Sequence, residues 1–122
     1  MIALDTNIAI AYLADESQVR DRLRLATTTG EVVVISTIVV AEILSYPSID
    51  ENLLVRIKEW LVGVEIVSFD LLTAERAAQV RRQTNMKLTD SAIAATALIH
   101  GASLATRDQQ FKKVSNLTIL EW

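Results

Sequence analysis

Cysteine is absent from the 122 residues. Disulfides, thiolate zinc sites and cysteine nucleophiles are therefore excluded. Histidine is nearly absent: His100 stands alone, so a histidine-rich metal site cannot be built. Three glycines and one proline, Pro47, are all the chain has of either. That scarcity leaves no linker and no phosphate-cradling glycine loop, and favours helices joined by short connections. Ser36, Ser45 and Ser91 lack the Gly-x-Ser-x-Gly surroundings of a nucleophile elbow. Positive charge is in deficit, 12 Lys and Arg against 15 Asp and Glu, for a net charge of −3. A protein that coats nucleic acid is normally basic, so that class is disfavoured, although a local basic rim is not. The longest apolar stretch, Val32 to Leu44, is broken by Ser36, Thr37 and Glu42. It also falls short of the roughly 20 residues a membrane span needs. Met1-Ile2-Ala3-Leu4-Asp5 carries no basic n-region. A soluble cytoplasmic protein is expected.

What the chain does have is apolar side chains. The hydrophobic share is 51% and the mean hydropathy is +0.31. One globular domain over residues 1–122 is expected, with a substantial core. The hydropathy is high for a small protein, and a homodimer is expected to cover the excess.

The pattern along the chain alternates. Ile2 to Leu4 reads as a strand, and Thr6 and Asn7 as caps for a helix from Ile8 to Leu13. Ser17 to Thr27 reads as a helix with Val19 and Leu23 inward and Arg20 and Arg24 outward. Val32 to Ile35 is β-branched throughout and reads as a buried strand. Thr37 to Tyr46 is helical until Pro47 stops it. Asp50 to Leu61 is helical on the spacing of Leu53, Leu54, Ile57 and Leu61. Glu65 to Phe69 is a strand, Thr73 to Gln83 a helix, and Asp90 to His100 a helix closed by Gly101. Ser103 to Ala105 and Leu117 to Leu120 are the last strands. Alternation of this kind predicts an α/β fold, a mostly parallel sheet of about five strands flanked by helices.

Four acids follow, or lie close to, these short apolar runs: Asp5, Glu42, Asp90 and Asp108. Each has a structural reading. Asp5 sits among helix-capping residues, Asp90 suits the first turn of a helix, and Asp108 suits a turn. Glu42 is harder to explain that way. It interrupts Ile38-Val39-Val40-Ala41-Glu42-Ile43-Leu44, and a carboxylate among apolar neighbours needs a partner. If the first, second and fourth strands are neighbours, the four acids meet at one sheet edge, where open α/β sheets bind ligands. Such a cluster needs a cation or protons to relieve its repulsion. Oxygen-only ligands select Mg²⁺ or Mn²⁺ over zinc.

The same residues carry a family resemblance. Leu4-Asp5-Thr6-Asn7, Val40-Ala41-Glu42-Ile43, Leu88-Thr89-Asp90-Ser91-Ala92-Ile93-Ala94-Ala95-Thr96-Ala97 and Gly101-Ala102-Ser103-Leu104-Ala105-Thr106-Arg107-Asp108-Gln109-Gln110-Phe111 occur in order over nearly the whole chain. In this the chain resembles the PIN domain family, and within it the VapC-type ribonuclease toxins of toxin–antitoxin pairs. The resemblance implies that Asp5, Glu42, Asp90 and Asp108 are catalytic and bind Mg²⁺ or Mn²⁺, with Thr6, Asn7 and Thr106 in support. It implies hydrolysis of RNA phosphodiesters, a homodimer and a small antitoxin partner. Arg107, Lys112 and Lys113, beside Asp108, are candidates for holding RNA, or else a solvated face. Arg81 and Arg82 read as a polar helix face, His100 as a cation at a helix end, and Trp60 and Trp122 as packing residues.

Two other classes stay open. A haloacid-dehalogenase-like phosphatase would use Asp5 as nucleophile, but it wants an acid where Asn7 stands. A PIN scaffold can also bind RNA or protein without cutting, or cut RNA in ordinary processing. Metal-dependent cleavage separates the nuclease from the first two.

Overall fold

Apolar runs of three or four residues are too short to bury a helix face but suffice for a strand covered on both sides. In the computed structural model, which describes residues Met1 to Trp122, they form five strands. These are β1 (Ile2–Leu4), β2 (Val33–Ser36), β3 (Glu65–Val67), β4 (Ser103–Thr106) and β5 (Ile119–Glu121). Six helices connect and cover them: α1 (Thr6–Leu13), α2 (Ser17–Thr28), α3 (Thr37–Leu44), α4 (Glu51–Val62), α5 (Leu71–Thr84) and α6 (Leu88–His100). No helix is long and apolar enough to cross a membrane.

The strand order is β3-β2-β1-β4-β5, and every pairing is parallel. Parallel neighbours need long crossovers, which the helices supply. All five carboxyl ends therefore lie along one edge. From β1 the chain runs outward through β2 and β3, then returns to the other side of β1 for β4 and β5. The order thus reverses at β1, and a crevice opens beside its carboxyl end. The sheet is wholly parallel, and β1 lies between β2 and β4 as the acids require.

Burial follows position. β1 and β2 are buried along their length, whereas Glu65 and Ile66 on the edge strand β3 are exposed. Leu4, Ile35 and Leu104 from the central strands meet Ile8, Ile57, Ile93 and Phe111 in one core. On α6, Ser91 to Ala97 are all buried. Small side chains let this helix lie close to the sheet on one side. On the other side Ala92 and Ala95 meet Ala77 of α5.

Several boundaries differ from expectation, each for a local reason. Asp5, not Thr6 or Asn7, caps α1: it is the last extended residue, and its side chain accepts from the Thr6 N–H. α3 ends at Leu44 rather than Tyr46, because a residue preceding proline is pushed out of the helical region. α6 begins at Leu88, two residues early, which sets Asp90 within its first turn. A 3₁₀ turn at Gln109–Lys113 was not legible: five residues carry no period, yet Phe111 plugs the core there. The last strand begins at Ile119 rather than Leu117. Trp60 packs as expected, its ring 5.4 Å from that of Tyr12.

Gly101 closes α6 in the left-handed conformation, with φ +62°. An added Cβ would meet nothing within 4 Å, so the cost of a side chain there is purely conformational. Gly101→Ala is expected to lower stability by about 1–2 kcal/mol. Gly63→Ala, at an ordinary φ of −91°, should change little. Urea titration of both variants checks this, and equal losses would contradict it.

Candidate active site

β1 ends in the crevice, so the next residue is delivered there. Asp5 is 4% exposed, and its N–H donates to the Ala105 carbonyl of β4 at 3.1 Å. Both carboxylate oxygens are held. The Thr6 N–H donates to Oδ1 at 2.7 Å and the Thr106 hydroxyl donates to Oδ2 at 2.7 Å. Thr106 is the buried last residue of β4 and also accepts from the Asp108 N–H at 3.0 Å. One hydroxyl thus ties Asp5 to the loop that carries Asp108. Thr6 makes the matching tie on the other side, its hydroxyl donating to Glu42 Oε1 at 2.7 Å.

Glu42 projects from α3, which packs on α1 and α6. It is half-buried rather than buried, and Thr6 is the partner it was expected to need. Asp90 and Asp108 are half-buried as well. Asp108 caps the 3₁₀ turn by accepting from the Gln110 N–H at 2.9 Å. All four acids, with Thr6 and Asn7, line one open cavity of about 220 Å³.

No lysine or arginine lines that cavity, and none of the four acids is in an ion pair. Burial pushes the Asp5 carboxyl above the usual range; its bonds to Thr106 and Thr6 oppose this, and the charges of Asp90 and Asp108 add to it. Burial likewise raises Asp90, with Asp108 and then Glu42 adding to it, while Lys87 opposes.

The donors are oxygens throughout, apart from the Asn7 amide nitrogen, and unneutralised negative charge faces one space. That donor set suits a hard divalent cation and lacks the imidazole and thiolate donors that zinc sites favour. As the side chains stand, no three acids are drawn close enough to hold an ion between them. Mg²⁺ keeps several of its waters and binds through one or two carboxylates, so it does not require three acids in direct contact.

Arg107 pairs with Glu16, and its Nε donates to the Trp122 carbonyl at 2.6 Å. Lys112 pairs with Glu121. β5 lies beside β4 and brings Glu121 and Trp122 to these side chains. Lys113 is exposed, and none of the three lines the cavity. Ile10 and Tyr46 do line it and were not singled out from sequence. For Ile10 the signal was there, four residues after Thr6 on α1, the spacing of one helix face; Tyr46 lies past the end of α3 and follows no helical period. Both residues also border a second, apolar groove of about 200 Å³, lined by Leu13, Ile43, Leu53 and Ile57 among others.

Comparison with known proteins gives a consistent picture. The model of the PIN domain family matches residues 2–117. No curated protein matches the chain. Among solved structures, VapBC2 from Rickettsia felis, bound to a DNA fragment from its promoter, is 25% identical, with a TM-score of 0.88 over 100% of this chain and 99% of that one. FitAcB from Neisseria gonorrhoeae is 26% identical, with a TM-score of 0.71 over 99% of this chain and 97% of that one. A toxin–antitoxin complex from Klebsiella pneumoniae, 24% identical, shares the fold at a TM-score of 0.85 over 99% and 97%.

The raised carboxyls set a pH test. A carboxyl whose pKa is raised by folding holds its proton more tightly in the folded state. The stability it confers is present below the ordinary carboxylate value and is lost as pH rises through the raised one. In chelator, Asp90→Asn should therefore melt a few degrees above the wild type at neutral pH. The gap should close as pH falls below the carboxylate range. Calorimetry across pH checks this, and a gap independent of pH would contradict it.

Proposed function

The chain belongs to the PIN domain family, and on that premise we propose that it is a metal-dependent endoribonuclease, the toxin of a toxin–antitoxin pair acting in the cytoplasm. The observation that carries the reading is the convergence of Asp5, Glu42, Asp90 and Asp108 on one cavity that contains no cation of its own. Holding like charges together is costly, and a bound divalent ion offsets that cost.

The four acids would hold Mg²⁺ or Mn²⁺. Such an ion polarises a phosphoryl oxygen, lowers the pKa of a bound water and steadies the leaving oxygen. The chain's own residues do the positioning. Thr106 holds Asp5 and the Asp108 loop in register, and Thr6 holds Asp5 and Glu42. Asn7, exposed at the wall, offers an amide to substrate or water. An ionised carboxylate facing the cavity can accept a proton from the attacking water, and hydrolysis of this kind needs no protein nucleophile and no histidine.

Partner binding is supported by the surface beside the site. The apolar groove shares Ile10 and Tyr46 with the acid cavity. A small antitoxin can lay apolar side chains in the groove and turn an arginine onto the acids, where charge-assisted hydrogen bonds replace the metal. Toxin–antitoxin assemblies among the similar structures support this reading. A homodimer is supported by exposed Val62, Leu71, Leu72 and Leu88. Light scattering should then report twice 13.5 kDa, and a monomer at micromolar concentration would remove the dimer from the proposal.

Asp90→Asn should lower RNA cleavage by about 10³-fold, the equivalent of roughly 4 kcal/mol of lost charge stabilisation, and chelator should abolish it in the wild type. Expression of the wild type alone should halt growth, and Asp5→Ala should not. Full activity of purified Asp90→Asn would refute the site. Normal growth with intact RNA on wild-type expression would refute the toxin role.

A further inference from the structure

Between Glu75 and Asp90 the chain carries Arg76, Arg81, Arg82 and Lys87 and no acid, a third of its 12 cations in an otherwise acidic protein. We propose that the last turn of α5 and the connection into α6, through Arg81, Arg82 and Lys87, hold the RNA phosphates that lead into the acid cavity; this rests on the ribonuclease reading above. A polyanion approaching four carboxylates is repelled, a bound divalent ion would offset only part of that charge, and no lysine or arginine lines the cavity. Further positive charge then has to come from beyond the cavity lining, and the segment leading into α6 carries it. Lys87 is the residue before α6, and Asp90 lies in that helix's first turn.

The remaining cations are committed or scattered. Arg107 is held by Glu16, Lys112 by Glu121 and Arg20 by Asp15. Arg22 and Arg56 donate to the carbonyls of Glu121 and Leu13, and Arg76 to Gln79. Arg24, Lys58 and Lys113 stand apart on three different elements. Arg81, Arg82 and Lys87 are exposed and form no ion pair. They are also presented on a firm support. Met86 is 2% exposed and anchors the turn in the core. Asn85 closes α5 in the left-handed conformation, and the Thr84 hydroxyl accepts from the Met86 N–H at 3.3 Å. The Lys87 carbonyl accepts from both the N–H and the hydroxyl of Ser91, each at 2.9 Å. With the backbone already fixed by the helix and the turn, phosphate binding has only the three side chains to order.

The test is the salt dependence of binding to a short single-stranded RNA, measured in the Asp90→Asn background so that the RNA stays intact. Replacing Arg81, Arg82 and Lys87 together by Gln should weaken binding at least tenfold at low salt. It should also lower the slope of log K against log salt by about 2, at ~0.7 per phosphate contact. The control replaces Arg24, Lys58 and Lys113 by Gln, the same change in net charge at scattered sites, and should move the slope by less than half as much. Unchanged slopes, or equal changes in both triple variants, overturn the proposal. Cleavage by the otherwise wild-type chain is scored separately. If cleavage persists while the slopes are unchanged, the RNA path is wrong and the nuclease stands; if no cleavage occurs in Mg²⁺, the nuclease reading itself fails.

Discussion

Like charge brought together without a counter-charge is the constraint around which this structure is arranged. Four carboxylates face one cavity, and their repulsion would spread them apart if each were free to move. Two threonines restrain the carboxylates of Asp5 and Glu42 by donating to them, and Asp108 through its backbone N–H, which donates to Thr106. Thr106 is 1% exposed and Asp5 4%, so their bond lies out of water, where an unmade hydrogen bond is costly. It joins the ends of β4 and β1, and through the Asp108 N–H it reaches the next loop. Thr6 carries the same restraint to Glu42. Asp90 has no such tie and is positioned by its helix alone.

The helix is able to do that because of its composition. α6 buries seven consecutive residues, Ser91 to Ala97, five of them alanine or serine. No bulky side chain keeps it from the sheet, and α5 packs closely on its other side through Ala77. An α6 spaced away by leucines would carry Asp90 away from β1. The polar hydroxyls on this buried face are satisfied within the helix: Thr96 donates to the Ala92 carbonyl and Ser91 to that of Lys87. Packing, capping and site geometry are thus one problem solved by small residues.

Much of this could be read from the chain before any coordinates. Short apolar runs gave away the strands, and Glu42 was conspicuous because nothing apolar around it explains a charge. Strand order was different. That β4 pairs with β1 rather than following β3 depends on tertiary packing, and sequence could only state it as a condition on the acids meeting. Side-chain partners were also hidden. Arg107 and Lys112 lie next to Asp108 in sequence, yet β5 supplies Glu121 and Trp122, and Glu16 approaches from the loop before α2. Arg81 and Arg82 read as an ordinary polar face, and the structure leaves both exposed and outside any ion pair at the end of α5. The 3₁₀ turn at Gln109–Lys113 had no period to betray it, Ile10 was visible only as a neighbour one helical turn from Thr6, and Tyr46, past the end of α3, had no pattern to mark it.

A divalent ion in the space among the four acids is the central requirement of the proposed chemistry. Anomalous scattering from crystals grown in Mn²⁺ measures that directly. The expected result is a manganese peak in the cavity, within coordination distance of Asp5 and at least one of Glu42, Asp90 and Asp108, and lost in Asp90→Asn crystals. Saturating Mn²⁺ with no peak among these residues, or a peak only at surface carboxylates such as Asp15 or Glu59, would contradict it.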